Sequence, residues 1–190
     1  MNIPLSRPDI TVRECRAVLA VLESPYLSRG PTLVEFEEAM ATYVGVRHAI
    51  AVNSGTSGLH LIVRALGIGS GDEVITTPFS FIASANCIVM EQARPVFVDI
   101  DPETCNVDVT KIEHAMTAKT KAILGVDVLG RCVDWDAIDT IARRHQLAVI
   151  EDSCEAIGAE YRGRKAGSFG AAGCFGFYPN KQMTTGEGGV

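Results

Sequence analysis

The sequence predicts an α/β fold built on a mostly parallel sheet, and three observations carry that expectation. Short apolar runs alternate with segments of helical period from Ala49 to Asp152. Glycines and polar caps fall between them rather than inside them. The helical segments are long enough to be crossovers, so neighbouring strands run in the same direction.

The elements follow in order. Residues 1–31 are rich in Pro and Arg around an amphipathic segment from Val12 to Leu22, and read as an arm ahead of the main unit, residues 32–190. From Thr32, Phe36, Ala39, Met40 and Tyr43 keep helical spacing, with Gly45 placed to stop the helix. Ala49–Val52 reads as a short strand that breaks into Asn53-Ser54-Gly55-Thr56-Ser57-Gly58. Leu59, Ile62, Val63 and Leu66 then restore the helical period. Beyond it the sequence predicts strands at Glu73–Thr77, Pro95–Ile100, Lys121–Leu129 and Leu147–Ile150. Helices are predicted at Ser80–Glu91, at Val109–Met116 and from the Asp134 cap to His145. Past Asp152 glycine becomes dense, and short strands such as Gly173–Phe177 are expected in place of another long helix.

Composition removes several classes of function. The net charge is −6, and the 17 Lys and Arg residues are scattered, so no basic surface for nucleic acid is expected. No apolar run approaches the roughly 18–20 residues that span a bilayer, and the first residues lack the order of a signal peptide, so a cytoplasmic protein is expected. Six cysteines occur singly and four histidines show no ligand spacing, so neither a disulfide framework nor a metal site is expected.

The chemistry gathers on one lysine. Lys181 sits in Phe177-Tyr178-Pro179-Asn180-Lys181-Gln182, among rings and glycines where desolvation disfavours an ammonium and can expose a nucleophilic amine. The bland alternative is a loop lysine reaching solvent. The Asn53–Gly58 turn leaves backbone N–H groups at a helix N-terminus, suited to phosphate or to an ordinary Ser/Thr cap. Phe79–Phe81 and Asp152 fall at the same carboxyl edge of the sheet, where ligands of parallel sheets bind. Asp152 alone could be a cap or an ion-pair partner. Together, an anion turn, a ring platform, a strand-end acid and a lysine match what pyridoxal 5'-phosphate asks of a protein.

These residues resemble the fold-type I pyridoxal-phosphate enzymes, and within them the DegT/DnrJ/StrS sugar-nucleotide aminotransferases. The likeness runs through Ile3-Pro4-Leu5-Ser6-Arg7-Pro8, Asn53–Leu61, Gly69–Ile75, Pro95–Ile100, Glu151-Asp152 and Phe177–Lys181. It implies a three-layer α/β/α architecture, the large domain of such a transferase, with the C-terminal small domain absent. It implies Lys181 as the catalytic Schiff-base lysine and Asp152 as partner of the pyridinium. Gly55, Thr56 and Ser57 would hold the phosphate, Phe81 would stack on the ring, and Glu155 would lie near the ring's 3-oxygen, where the family usually has an amide. The family often has histidine where this chain has Asp127, and serine where it has Gly176.

The implied reaction moves an amino group from an amino acid, glutamate by resemblance, to a nucleotide-linked keto-sugar in polysaccharide or natural-product biosynthesis. Two alternatives stand beside it. A keto-deoxy-sugar dehydratase of the same family would have histidine in place of Lys181. A catalytically silent half-protein that binds a partner chain is suggested by length, because the resemblance covers only the first half of the family's members. A homodimer, or a complementing C-terminal segment, is the expected partner.

Overall fold

The computed structural model describes residues 7–190 and has the expected three layers; Ile3 to Ser6 of the arm lie outside the described residues. Helix α1 spans Val12–Leu22 as the spacing predicts. Thr11 and Glu14 form a capping box at its start, and none of its residues is buried. Helix α2 spans Pro31–Val44, and Gly45, at φ 79°, ends it in the left-handed conformation that glycine adopts without strain. Helix α3 (Gly55–Ala65) starts at Ser54, whose side chain accepts the Ser57 N–H.

The alternation that follows comprises β1 (Glu73–Thr76), α4 (Ala83–Met90), β2 (Arg94–Phe97), α5 (Val109–Ala115), β3 (Thr120–Val126), α6 (Trp135–His145) and β4 (Ala148–Asp152). A small antiparallel pair, β5 (Glu160–Tyr161) and β6 (Arg164–Lys165), precedes β7 (Ala172–Cys174). The five-stranded sheet has the order β2-β1-β3-β4-β7, and every pairing in it is parallel.

Period two sorts each strand's side chains to opposite faces. Val74, Leu124 and Ile150 pack under α3 and α4 with Leu59, Val63 and Ile88. Ile75, Ile123 and Val149 pack against α6 through Trp135, Ile138 and Ala142. Helices therefore cover both faces, which is why the strands read as continuous apolar runs.

Several expected elements shift: β2 ends at Phe97 rather than Ile100, and β7 at Cys174 rather than Phe177. Ala49–Val52 is not a strand: only Val52 pairs, in an isolated antiparallel bridge to Gly189, so its partner comes from the far end of the sequence. The Ser80 helix begins instead at Ala83, and Ser80 meets its first turn through a 2.7 Å side-chain contact with Ser84. Strand β3 stops at Val126, since Leu129 and Gly130 take positive φ values of 53° and 84° and turn the chain away.

One glycine in β3 is required by packing. A Cβ on Gly125 would stand 2.7 Å from Trp135 Cη2 and 3.2 Å from Ile138 Cδ1. Trp135 is itself fixed by a stack on Phe169, with ring centroids 5.3 Å apart. Gly125→Ala must push that stack aside, and we expect a loss of about 1–3 kcal/mol, the usual cost of overfilling a packed core. A denaturant midpoint lowered at constant slope would show it, and an unchanged midpoint would contradict it.

Candidate functional site

The carboxyl ends of β3 and β4, the N-terminus of α3 and the Lys181 loop enclose a cavity of about 530 Å³. Its walls include Gly55, Thr56, Phe81, Asp152, Glu155 and Lys181. Six of the seven site residues expected from the sequence therefore converge there. The seventh, Ser57, sits just behind the wall, with its hydroxyl 3.0 Å from that of Ser54 and its N–H given to the Ser54 cap.

The α3 N-terminus forms the cradle. Its first backbone N–H groups have no carbonyl of their own turn to pair with, and the helix dipole adds partial positive charge. The approach is tight, because a Cβ on Gly55 would meet Cys154 Sγ at 2.8 Å and the Gly176 backbone at 3.2 Å. Glycine at position 55 lets the helix end seat against the segment that follows β7.

Asp152 is the last residue of β4, with only 5% of its surface exposed. Ser84 Oγ donates to its Oδ2 at 2.6 Å, and the Cys154 N–H donates to Oδ1 at 3.2 Å. Ser84 is tied in turn to Ser80 at 2.7 Å. These two serines were not singled out from the sequence. Their signal is an i, i+4 hydroxyl pair at the start of an otherwise apolar helix. The carboxyl is thus aimed and partly solvated by protein donors while facing the cavity.

Lys181 follows a turn closed by its own N–H to the Tyr178 carbonyl. Its Nζ donates to Glu155 Oε1 at 3.1 Å, and the side chain is 16% exposed. The amine is therefore not caged by apolar groups alone, as the flanking rings had suggested. Glu155 ties two segments to its own: its Oε2 accepts the Leu129 N–H, and besides Lys181 the same loop gives Gln182 Nε2 to its carbonyl at 2.6 Å. Phe81 is 71% exposed and offers the cavity an open ring face.

Cys154 also lines the cavity. Its hydrogen bond with Cys174, then burial, hold its thiol well above the ordinary range, so it stays protonated and is a poor nucleophile. Among the described lining residues Lys181 carries the only amine. An anion cradle, an aimed acid, an open ring and a lysine amine suit pyridoxal phosphate in shape and donor set.

Among the described residues, no helix is long and apolar enough to cross a membrane. The sequence profile of the DegT/DnrJ/EryC1/StrS aminotransferase family matches residues 8–190. GDP-perosamine synthase of Caulobacter vibrioides is 49% identical over 190 residues, covering 100% of this chain and 51% of that protein. The UDP-4-amino-4-deoxy-L-arabinose–oxoglutarate aminotransferase of Shewanella sediminis is 40% identical over 188 residues, 99% of this chain and 48% of its own length. The solved structure of Helicobacter pylori PseC, an aminotransferase involved in the biosynthesis of pseudoaminic acid, superposes with a TM-score of 0.94 at 38% identity, covering 98% of this chain and 50% of that one. The chain spans about half the length of the curated relatives it matches.

Proposed function

Since the chain belongs to the DegT/DnrJ/EryC1/StrS aminotransferase family, we propose that it carries the cofactor-binding half of a pyridoxal-phosphate-dependent sugar aminotransferase. The acceptor is a nucleoside-diphosphate-linked keto-sugar and the donor is glutamate. The observation that carries this reading is the meeting of Lys181, Asp152 and the α3 N-terminus in one cavity. Relatives named for GDP- and UDP-linked sugars and for oxoglutarate support the choice of substrates.

When bound, pyridoxal phosphate supplies a carbonyl for amine exchange and a ring that takes up the electron pair released at the substrate's α-carbon. The protein supplies position and proton transfer. Backbone amides of Gly55 and Thr56, with the Thr56 hydroxyl, would hold the phosphate. Asp152 would pair with the cofactor's ring nitrogen and favour its protonated form, and Ser84 and the Cys154 N–H keep that carboxylate aimed. Phe81, whose ring lines the cavity, would offer a stacking surface to the cofactor ring. Lys181 Nζ, held at 3.1 Å by Glu155 Oε1, would provide the amine and serve as the proton carrier.

In this reading residues 32–190 are the cofactor-binding unit and 1–31 an arm. Exposed Ile82, Val89, Met90 and Phe97 support a second copy of the chain, or a complementing segment, as its partner. The test is direct. The protein mixed with pyridoxal phosphate is expected to absorb in the visible, and borohydride is expected to fix the cofactor on the peptide holding Lys181. Glutamate and a nucleotide-linked keto-sugar should then yield an amino-sugar with ping-pong kinetics. Cofactor that washes out without trace, or that reduces onto other lysines only, overturns the reading.

A further inference from the structure

On the sheet face turned toward α6, opposite the cavity, lies a polar cluster that the proposed chemistry does not use. Ser153 Oγ is 2.7 Å from Asp127 Oδ2 and 2.7 Å from Glu151 Oε1, and all three residues are fully buried. A hydroxyl carries one hydrogen. It can donate to one of the two carboxyls, so the second short contact needs a hydrogen supplied by the carboxyl itself.

The remaining donors say which carboxyl that is. Glu151 accepts the Gly167 N–H on Oε1 at 2.6 Å and the Phe169 N–H on Oε2 at 2.7 Å. Among the described residues Asp127 accepts one backbone N–H, from Val133 on Oδ1 at 2.9 Å; its Oδ2 is 2.7 Å from Ser153 Oγ, and its carboxyl also stands within hydrogen-bond reach of Glu151. Neither carboxyl takes part in any ion pair among the described residues. Two adjacent buried carboxylates with no cation would carry an uncompensated charge, whereas one carboxylate with three donors is well solvated.

We propose that Asp127 is a neutral carboxylic acid whose Oδ2–H donates to Ser153 Oγ, which donates in turn to an ionised Glu151, so that one trapped proton locks the carboxyl ends of β3 and β4 behind Asp152. The lock is joined to the site through the backbone, since the Asp127 N–H donates to the Asp152 carbonyl at 3.0 Å. Asp127 is a positioning residue in this arrangement, and the proposal does not depend on the substrates assigned above.

The groups facing Asp127 are Glu151 from β4 and Cys132 from the segment before α6. Burial, then Asp127 and Glu151, push the Cys132 thiol up to about 12, so it adds no charge at neutral pH. Burial, then Glu151, push the Asp127 carboxyl up to about 8. In the unfolded chain an aspartate loses its proton near about pH 3.9. The folded state therefore holds a proton that the unfolded state has lost. This contribution to stability is full below about pH 4, falls as pH rises, and is gone above about pH 8.

Asp127→Asn tests it, because the amide can accept from Val133 and donate to Ser153 without titrating. Unfolding equilibria of both proteins would be measured in denaturant from about pH 5 to about pH 9. The unfolding constant of the wild type relative to the variant is expected to rise about tenfold per pH unit between about pH 5 and 7 and to level off above about pH 8. A ratio that does not change with pH overturns the proposal. So does a variant too unstable to fold, since an asparagine should fit the neutral site. Glu151→Gln gives the second arm: its NH₂ must face the Gly167 or the Phe169 N–H, donor against donor, so this variant is expected to lose more stability than Asp127→Asn. The reverse order would put the proton on Glu151 and overturn the assignment.

Discussion

Lys181→Ala is expected to abolish borohydride-dependent fixation of the cofactor and to lower transamination by at least about 10³-fold, because it removes both the amine and the proton carrier. Among the described lining residues no other amine can take over. Cys154 is held protonated by Cys174 and by burial, and Glu155 and Asp152 are acids rather than amines. The fold should scarcely register the change. The ion pair lost is the contact with Glu155, whose side chain is 40% exposed against 16% for Lys181, and a pair open to solvent on one side contributes about 1 kcal/mol. Glu155 keeps the Leu129 N–H, and Gln182 keeps the Glu155 carbonyl, so the loop retains two of its ties. An unchanged thermal midpoint with no covalent fixation assigns the chemistry to Lys181. Fixation that persists in the variant would remove the basis of the proposed function.

The parts of this site that were legible in the sequence are those whose signals are local. Asn53–Gly58 marks a helix start by its hydroxyls and glycines, and α3 begins at Gly55 within it. The apolar runs of β1, β3 and β4 are continuous because both faces of the sheet are covered, and that continuity placed Asp152 at a strand end. What escaped was set by distant partners. Val52 pairs with Gly189, and no pattern near residue 52 records that. The Ser84 hydroxyl reads as a neutral helix residue until the fold brings Asp152 to it across 68 positions. Lys181 was legible as the odd residue in its stretch, but its contact with Glu155 was not, because the two meet only when the loops after β4 and β7 fold over the same cavity. The Asp127 cluster was hidden for a related reason. Asp127 is marked in the sequence only as an acid inside an expected strand, where the resembled family often has histidine, and its meaning lies in the second carboxyl that β4 places beside it.

Asp152→Asn separates charge from shape at the other end of the cavity. Asparagine can turn its oxygen to the Cys154 N–H and its amide to Ser84 Oγ, which can accept while donating to Ser80, so both local bonds survive. The variant should fold with a thermal midpoint close to that of the wild type. The charge opposite the ring nitrogen is lost. A charge-assisted hydrogen bond contributes about 1.5–3 kcal/mol, so cofactor affinity is expected to fall by roughly tenfold to a hundredfold or somewhat more. Turnover at saturating cofactor should fall by about a further 10²–10³-fold, the scale seen when one preorganised electrostatic partner is removed from a water-excluded site. Absorbance titration with pyridoxal phosphate reads the first effect, and initial rates read the second. If affinity falls but turnover at saturation does not, Asp152 serves only to bind, and the assignment of the ring's electron uptake to this carboxylate fails. If neither falls, the cofactor does not approach β4 in the orientation proposed, and the phosphate cradle at α3 would have to be reassigned with it, because one rigid ring links the two positions.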